Sequence, residues 1–309
     1  MRGCRLMCKS VLLLNKKHCL REDIAIAVDV VRSEGHDLDV IIPWDSDDIS
    51  RLFENALKSG ANRLIAAGGD GTINLMTNLI LKHDAQEDVA LAILPLGTAN
   101  DFARAAEIPS NKPTEALRLA CAGEPVSIDV GTVNGRAFLN VASGGIGAEV
   151  TSTTPTELKK LLGGAAYSLM GLIRAHQLSP YEAEVILDDG KAEEGRLLLI
   201  AVSNGRFAGG GFDVAPKSRL DDGLLDVAVV AAPDDGRIER LVQEIRDPFS
   251  NENRILHYRQ IKKLVVRTRE PLPLNLDGEP VRGTEFTFGI KPGLLQVVLG
   301  GSQRPSATR

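Results

Sequence analysis

Along the first third of the chain, short apolar runs alternate with segments whose apolar residues recur every three or four positions. Residues 10–14 form a short apolar run that reads as a buried strand, and 22–34 has the spacing of a helix closed by Gly35. The pair recurs three more times: strand 38–42 with helix 48–58 before Gly60, strand 63–67 with helix 72–82, and strand 89–94 with a helix starting near Asn100. Repeated strand–helix units predict an α/β N-terminal domain built on an open parallel sheet covered on both faces.

The pattern changes near Val126. Strands are predicted over 138–142, 182–187, 196–203, 224–230, 263–268, 272–276 and 285–290, interrupted by one helical stretch at 155–176. Turn signals such as Asp188-Asp189-Gly190 and Asp277-Gly278 punctuate the series. This half reads as a mainly antiparallel β-sandwich C-terminal domain. The two domains are expected over residues 8–130 and 131–286, and 301–309 as a disordered tail. No internal repeat is found.

Composition narrows the class. The chain has 309 residues, 43% hydrophobic and 25% charged, which fits a two-domain globular protein and excludes a disordered chain, a collagen or a coiled coil. Aromatics at 4% and a net charge of -5 argue against a nucleic-acid partner. Cys4, Cys8, Cys19 and Cys121 lack zinc-ligand spacing and read as reduced thiols. The apolar run 11–14 is too short for a secretory segment, and no run approaches a membrane span. The expectation is a cytoplasmic protein whose membrane contact is peripheral and transient. Glycine is in excess, 30 residues, and clustered, so backbone in special conformations is expected at several places.

One cluster is Gly68-Gly69-Asp70-Gly71-Thr72-Ile73-Asn74, where a strand ends and a helix begins. In an open parallel sheet that junction is where ligands bind. Glycines let main-chain amides approach a phosphate, and the helix N-terminus adds positive potential. No Gly-Lys-Ser/Thr follows, so the loop is not a Walker A motif. Read as an ordinary tight turn, it has Thr72 as N-cap. A second junction, Leu96-Gly97-Thr98-Ala99-Asn100-Asp101-Phe102, repeats the arrangement, with Asn100 or Asp101 available to cap the next helix. Both loops would face one crevice, which makes Asp70 and Asp101 candidate holders of Mg2+, directly or through water.

These motifs resemble the bacterial lipid kinase family that includes diacylglycerol kinase-like and sphingosine kinase-like enzymes, and within it the YegS-like lipid kinases. The resemblance continues through Ser143-Gly144-Gly145-Ile146-Gly147, Thr154-Pro155 with Lys159, Leu162-Gly163 and Tyr167. It goes on through Asn204-Gly205-Arg206 with Gly209-Gly210-Gly211, Asp222-Gly223-Leu224-Leu225, and Asn275-Leu276-Asp277-Gly278-Glu279-Pro280. It spans roughly 12–299, and the ordered set is far more specific than any one motif.

The resemblance implies a diacylglycerol kinase/NAD kinase-like first domain to which the chain returns over 287–300, and an active site between the domains. ATP would lie against Gly69, Asp70, Gly71, Thr72, Ile73, Asn74, Leu75 and Thr98, with Pro43 near its base. Glu279 matches the general base, Asp277 would orient it or a metal, and Asp70 and Asp101 complete the catalytic set. A Mg2+ site would use the Arg219 carbonyl, the Asp222 carboxylate and the Leu224 carbonyl. Phosphoryl transfer needs this combination of positioning, charge neutralisation and a proton acceptor. From local sequence alone, Asp277-Gly278-Glu279 is also an ordinary Asp-Gly hairpin turn and 217–224 an ordinary acidic turn.

The implied activity is transfer of the γ-phosphate of ATP to a hydroxyl of a membrane lipid, phosphatidylglycerol first and diacylglycerol second; a homodimer is allowed for. Two departures stand out: Leu75 where the family commonly has glutamate, and Pro43 where YegS-like members have threonine. Leu75 removes a polar contact to ATP, and Pro43 a hydroxyl and a main-chain donor. The alternatives are a soluble NAD kinase-type phosphotransferase and a non-catalytic nucleotide- or lipid-binding protein. Candidate lipid contacts are the apolar-basic stretch 155–176 and 254–269, which carries six basic residues and no acid. Asp70→Ala and Glu279→Ala are each expected to stop turnover with little loss of folding.

Overall fold

In the computed structural model, which describes residues 8–145, 180–188, 190–233 and 240–301, the chain divides at two points. A first unit runs up to Val130 and resumes at Pro292; a second spans Gly131–Lys291.

In the first unit, β1 (Lys9–Leu14), β2 (Asp37–Ile41), β3 (Arg63–Gly68) and β4 (Ala90–Pro95) lie parallel in the order β2-β1-β3-β4. Val297, near the end of β15 (Glu279–Val298), pairs parallel with Leu91 of β4. β3 and β4 are buried at every residue, which is why they read as unbroken apolar runs. The connecting helices are α1 (Glu22–Ser33), α2 (Ser46–Lys58), α3 (Asp70–Lys82), the short α4 (Asp101–Ala105) and α5 (Pro113–Ala122). Right-handed crossovers put α1 on one face of the sheet and α2 and α3 on the other. α5 packs against α1, where Arg118 forks onto Glu34 at 2.8 and 2.6 Å. On the opposite face, Phe53 of α2 lies 5.2 Å from the His83 ring at the end of α3. α5 is absent from the expected elements, although Pro113 at its first position and Gly123 just past its end mark it. The strands thus all point their C-terminal ends at one edge, and the N-termini of α1, α2, α3 and α4 open onto the same edge.

The second unit is antiparallel. It contains β6 (Arg136–Phe138), β7 (Val141–Gly145), β8 (Tyr181–Leu187), β9 (Glu193–Ser203), β12 (Leu225–Ala231), β13 (Leu256–Ile261), β14 (Lys263–Leu276) and the first part of β15; β5 (Pro125–Val133) leads into it. β9 pairs with β8 through its first half and with β7 through its second. β14 does the same, with β8 at Leu264–Thr268 and with β7 at Leu274–Leu276. Two long strands therefore each bridge β8 and β7, and β14 shifts register between Arg267 and Leu272, where Pro271 cannot donate to the ladder. The expected strands 263–268 and 272–276 are one strand for this reason, and 285–290 is the middle of the twenty-residue β15. Phe138 meets Phe288 edge-to-face at 6.5 Å, among Ile200, Leu264, Leu272 and Leu274. β10 (Phe207–Ala208) and β11 (Phe212–Asp213) form a small hairpin whose tip, Gly209, Gly210 and Gly211, has φ of 63°, 93° and 105°. Only glycine enters three such conformations in a row without strain, which accounts for the triplet.

The expected helix 155–176, the motif residues 146–167 and the tail from 302 lie outside the described residues. Among the described residues no helix is long and apolar enough to cross a membrane. Cys8, Cys19 and Cys121 are unpaired.

Candidate active site

In the first unit the two glycine junctions touch. Gly69 is the N-cap of α3, with extended backbone, and a Cβ placed on Gly97 would lie 2.5 Å from the Gly69 Cα. Gly97 is required because the Gly69 backbone occupies the space of its side chain, and a Cβ on Gly69 would press on the Gly97 Cα at 3.1 Å. Gly68 is likewise covered by the Thr72 side chain. Thr72 sits inside the first turn rather than capping it, so the expected Thr72 cap is replaced by Gly69.

Asp70 bridges the two loops. Its Oδ2 accepts the Asp101 N–H at 3.2 Å and its Oδ1 the Phe102 N–H at 3.0 Å. Asp70 therefore caps α4 from the neighbouring loop. Asn100 does not cap α4: with φ of 52° it accepts the Gly97 N–H at 2.9 Å and donates to the Gly97 carbonyl at 2.9 Å, closing its own loop. Asp101 is buried, Gly71 and Thr72 are half-buried and Thr98 is exposed. Ile73 and Asn74 turn into the interior, so only their main chain belongs to the edge. Leu75 is 38% exposed one turn further along α3, and Pro43 is buried just beyond β2. The Thr72 and Ile73 N–H groups close onto the Gly69 carbonyl at 2.9 and 3.1 Å, so the N–H groups of Asp70 and Gly71 and the positive end of the helix make the anion-receptive edge. Asp70→Ala is expected to cost about 1–3 kcal/mol of stability through the two abandoned donors, in addition to turnover. Urea unfolding beside the parent protein checks this; the two hydrogen bonds argue against the expectation that Asp70→Ala brings little loss of folding.

In the second unit, Leu276 and Glu279 are the closing pair of a two-residue turn. Asp277 and Gly278 both have positive φ, 49° and 105°, the geometry the Asp-Gly pair favours. Asn275 Oδ1 accepts the Gly278 N–H at 2.7 Å. Glu279 is exposed. Asp277 points inward: its carboxylate accepts the N–H groups of Leu139 at 2.7 Å, Asn140 at 3.1 Å and Val141 at 2.8 Å. The turn is thus both an ordinary hairpin and a rigid mount for an open carboxylate.

The same knot reaches further. The Asn140 carbonyl accepts the N–H groups of Asn204 and Gly205 at 2.9 and 2.8 Å, and the Asn204 carbonyl accepts the Ser218 hydroxyl at 2.7 Å. Asn140 carries no signature in sequence and only its placement reveals it, whereas Asn204 opens the Asn204-Gly205-Arg206 motif. Ser218 leads into the 219–224 turn. There Asp222 Oδ1 accepts the Leu224 N–H at 3.0 Å, with Gly223 at φ 71°. Burial, helped by the charge of Asp222, pushes the Asp226 carboxyl up to about 6 despite the Tyr258 hydroxyl it accepts. A carboxylate and main-chain carbonyls beside a second acid form an oxygen-rich, electronegative turn, the donor chemistry that suits Mg2+. Arg219 turns its side chain away to Asp221 at 3.2 Å, leaving only its carbonyl for that set. Among the described residues no three His, Cys, Asp or Glu side chains gather around a common metal position. The basic stretch 254–269 is partly answered: Arg267 pairs with Glu184 at 2.9 Å and with Glu285 at 3.3 Å.

Comparison with known proteins places these features. Residues 9–133 match the family described as diacylglycerol kinase catalytic domain, and 140–299 the YegS C-terminal NAD kinase beta sandwich-like domain. A Chromohalobacter salexigens protein named "Probable lipid kinase YegS-like" is 41% identical over 286 residues, 92% of this chain and 91% of its own. A Pseudomonas aeruginosa protein of the same name is 40% identical, covering 94% of each chain. A diacylglycerol kinase crystal structure from Bacillus anthracis superposes with a TM-score of 0.71 at 23% identity, over 94% of this chain and 97% of that one. An Archaeoglobus fulgidus NAD kinase in complex with ATP shares the fold at a TM-score of 0.51 and 13% identity, over 95% of each. With relatives this similar over nearly its whole length and both domain families matched in order, the chain belongs to the YegS-like lipid kinases.

Proposed function

We propose that this lipid kinase transfers the γ-phosphate of ATP to a hydroxyl of a membrane lipid, phosphatidylglycerol before diacylglycerol, at the membrane surface. The observation that supports it most is the pair of abutting glycine junctions joined by Asp70, which leaves the α3 N-terminus open to phosphates. In this reading the N–H groups of Gly69, Asp70 and Gly71 hold the phosphates, the Thr72 N–H being taken by the Gly69 carbonyl at 2.9 Å, with Thr98 and the main chain of Ile73 and Asn74 beside them. Asp70 and Asp101 place carboxylates near the transferred group, and Glu279 accepts the proton of the lipid hydroxyl. Mg2+, when bound, neutralises phosphate charge; a second ion held by the Arg219 and Leu224 carbonyls and Asp222 would brace the turn that follows Ser218. The Ser218–Asn204–Asn140–Asp277 chain ties that turn to the mount of Glu279.

The test is a lipid panel in mixed micelles with labelled ATP and Mg2+, with NAD offered in parallel. Label in phosphatidylglycerol at a higher kcat/KM than in diacylglycerol supports the order given. Label in NAD alone supports a soluble phosphotransferase, and no label anywhere with folded protein refutes the transfer reaction.

A further inference from the structure

Trp44 is the one tryptophan of the chain, and it is 75% exposed, although a large aromatic side chain gains most from burial. Its main chain is held on both sides. The N–H donates to Asp48 Oδ2 at 3.0 Å, and the carbonyl accepts from Lys16 Nζ at 3.0 Å. The same ammonium lies 5.7 Å from the ring centre, a cation–π contact that orients the indole while most of it stays open to solvent. A pinned backbone that presents an oriented, uncovered aromatic ring is preorganised for a flat ligand, because little freedom is lost when one stacks.

Its place in the fold says which ligand. Trp44 follows β2 on the edge where the strands end and the α3 N-terminus opens. Leu13 of β1 pairs with Ile41 of β2 on one side and Ala66 of β3 on the other. The ends of β2 and β3 are therefore two strand spacings apart, about 10 Å. A ribose bridges a gap of that order between a base and its phosphates. The other candidate occupant is a bilayer, since Leu20 and Ile42 are also exposed on this edge. The charge beside the ring is mixed, Lys16 against Asp45 and Asp48, with Asp48 itself paired to Arg51, so it gives an anionic bilayer no net attraction.

We propose that the nucleobase of the phosphoryl donor stacks on Trp44, while its phosphates lie at the Gly69–Thr72 turn. This rests on the reading of that turn as the phosphate site. It also adds a contact to the base at the very edge where Pro43 supplies neither a hydroxyl nor an N–H.

Because Trp44 is the sole tryptophan, intrinsic fluorescence of the full chain reports on it alone. Titration with ATP, ADP and inorganic tripolyphosphate, at matched Mg2+ and ionic strength, is expected to give saturable quenching by both nucleotides and none by tripolyphosphate. Trp44→Ala is expected to raise the KM for ATP about tenfold with kcat within about twofold, and Trp44→Phe to recover most of the loss. Circular dichroism and the urea midpoint verify that both variants fold. Equal quenching by tripolyphosphate, or no quenching by ATP in a preparation that phosphorylates lipid, overturns the proposal. So does a blue shift on phosphatidylglycerol vesicles without a response to ATP, which assigns the ring to the bilayer. Quenching by ATP without lipid phosphorylation keeps the stacking and refutes the kinase reading, so the two fail separately; neither quenching nor turnover overturns both.

Discussion

Asp277→Ala is expected to destabilise the second unit by about 3–5 kcal/mol and to take lipid phosphorylation with it. Asp277 is 7% exposed, and its carboxylate is the acceptor for three successive main-chain N–H groups, at Leu139, Asn140 and Val141. Truncation leaves those donors buried without it, and each abandoned donor costs about 1–3 kcal/mol. The turn also loses the contact that fixes its direction, so Glu279 no longer has one position. Asp277→Asn is expected to rescue little, although it is nearly the same shape. One of its two terminal atoms becomes a donor and faces main-chain N–H groups, donor against donor. Urea unfolding of both variants, read beside lipid phosphorylation, checks this. A variant with parental stability would show that the three contacts are energetically idle.

Glu279→Gln separates chemistry from architecture. Glu279 is exposed at the end of the turn and closes it through main-chain pairing with Leu276, which glutamine preserves. Stability and the KM for ATP are expected to hold, while kcat for lipid phosphorylation falls about 100- to 10,000-fold, the usual worth of a positioned general base. Single-turnover phosphorylation at saturating ATP measures the step directly. A kcat near the parental value would remove Glu279 from the proton transfer and leave the turn as a hairpin only. The two experiments are complementary: Asp277 is expected to act through the turn it holds, and Glu279 at the reacting hydroxyl.

Much of the first unit is legible because its periodicities are clean. β3 and β4 are buried throughout and therefore unbroken in sequence, and α3 begins where the glycines end. The second unit is legible in kind but not in extent. Pro271 breaks the pattern of β14 without ending the strand, since the chain resumes pairing at Leu272 after a register shift. β15 runs twenty residues because its two ends answer to different units, and no local window contains both.

The acids divide in the same way. Asp70, Asp101, Asp222, Asp277 and Glu279 can all be picked out of the sequence by their motifs, and so can the family. What each one does cannot, because the partners are remote. The Asp70 carboxylate caps a helix 31 residues away, and Asp277 collects main-chain donors up to 138 residues away. Trp44 is unremarked in sequence, and becomes notable only when Lys16 and Asp48 are seen to hold it open at a strand end. Local order of residues determined the strand–helix alternation, the glycine turns and the membership in the lipid kinases, since those rest on short-range sterics and ordered motifs. Tertiary structure decided which carboxylates serve the scaffold and which stand open to solvent, because hydrogen-bond satisfaction of a buried group depends on what folding brings beside it.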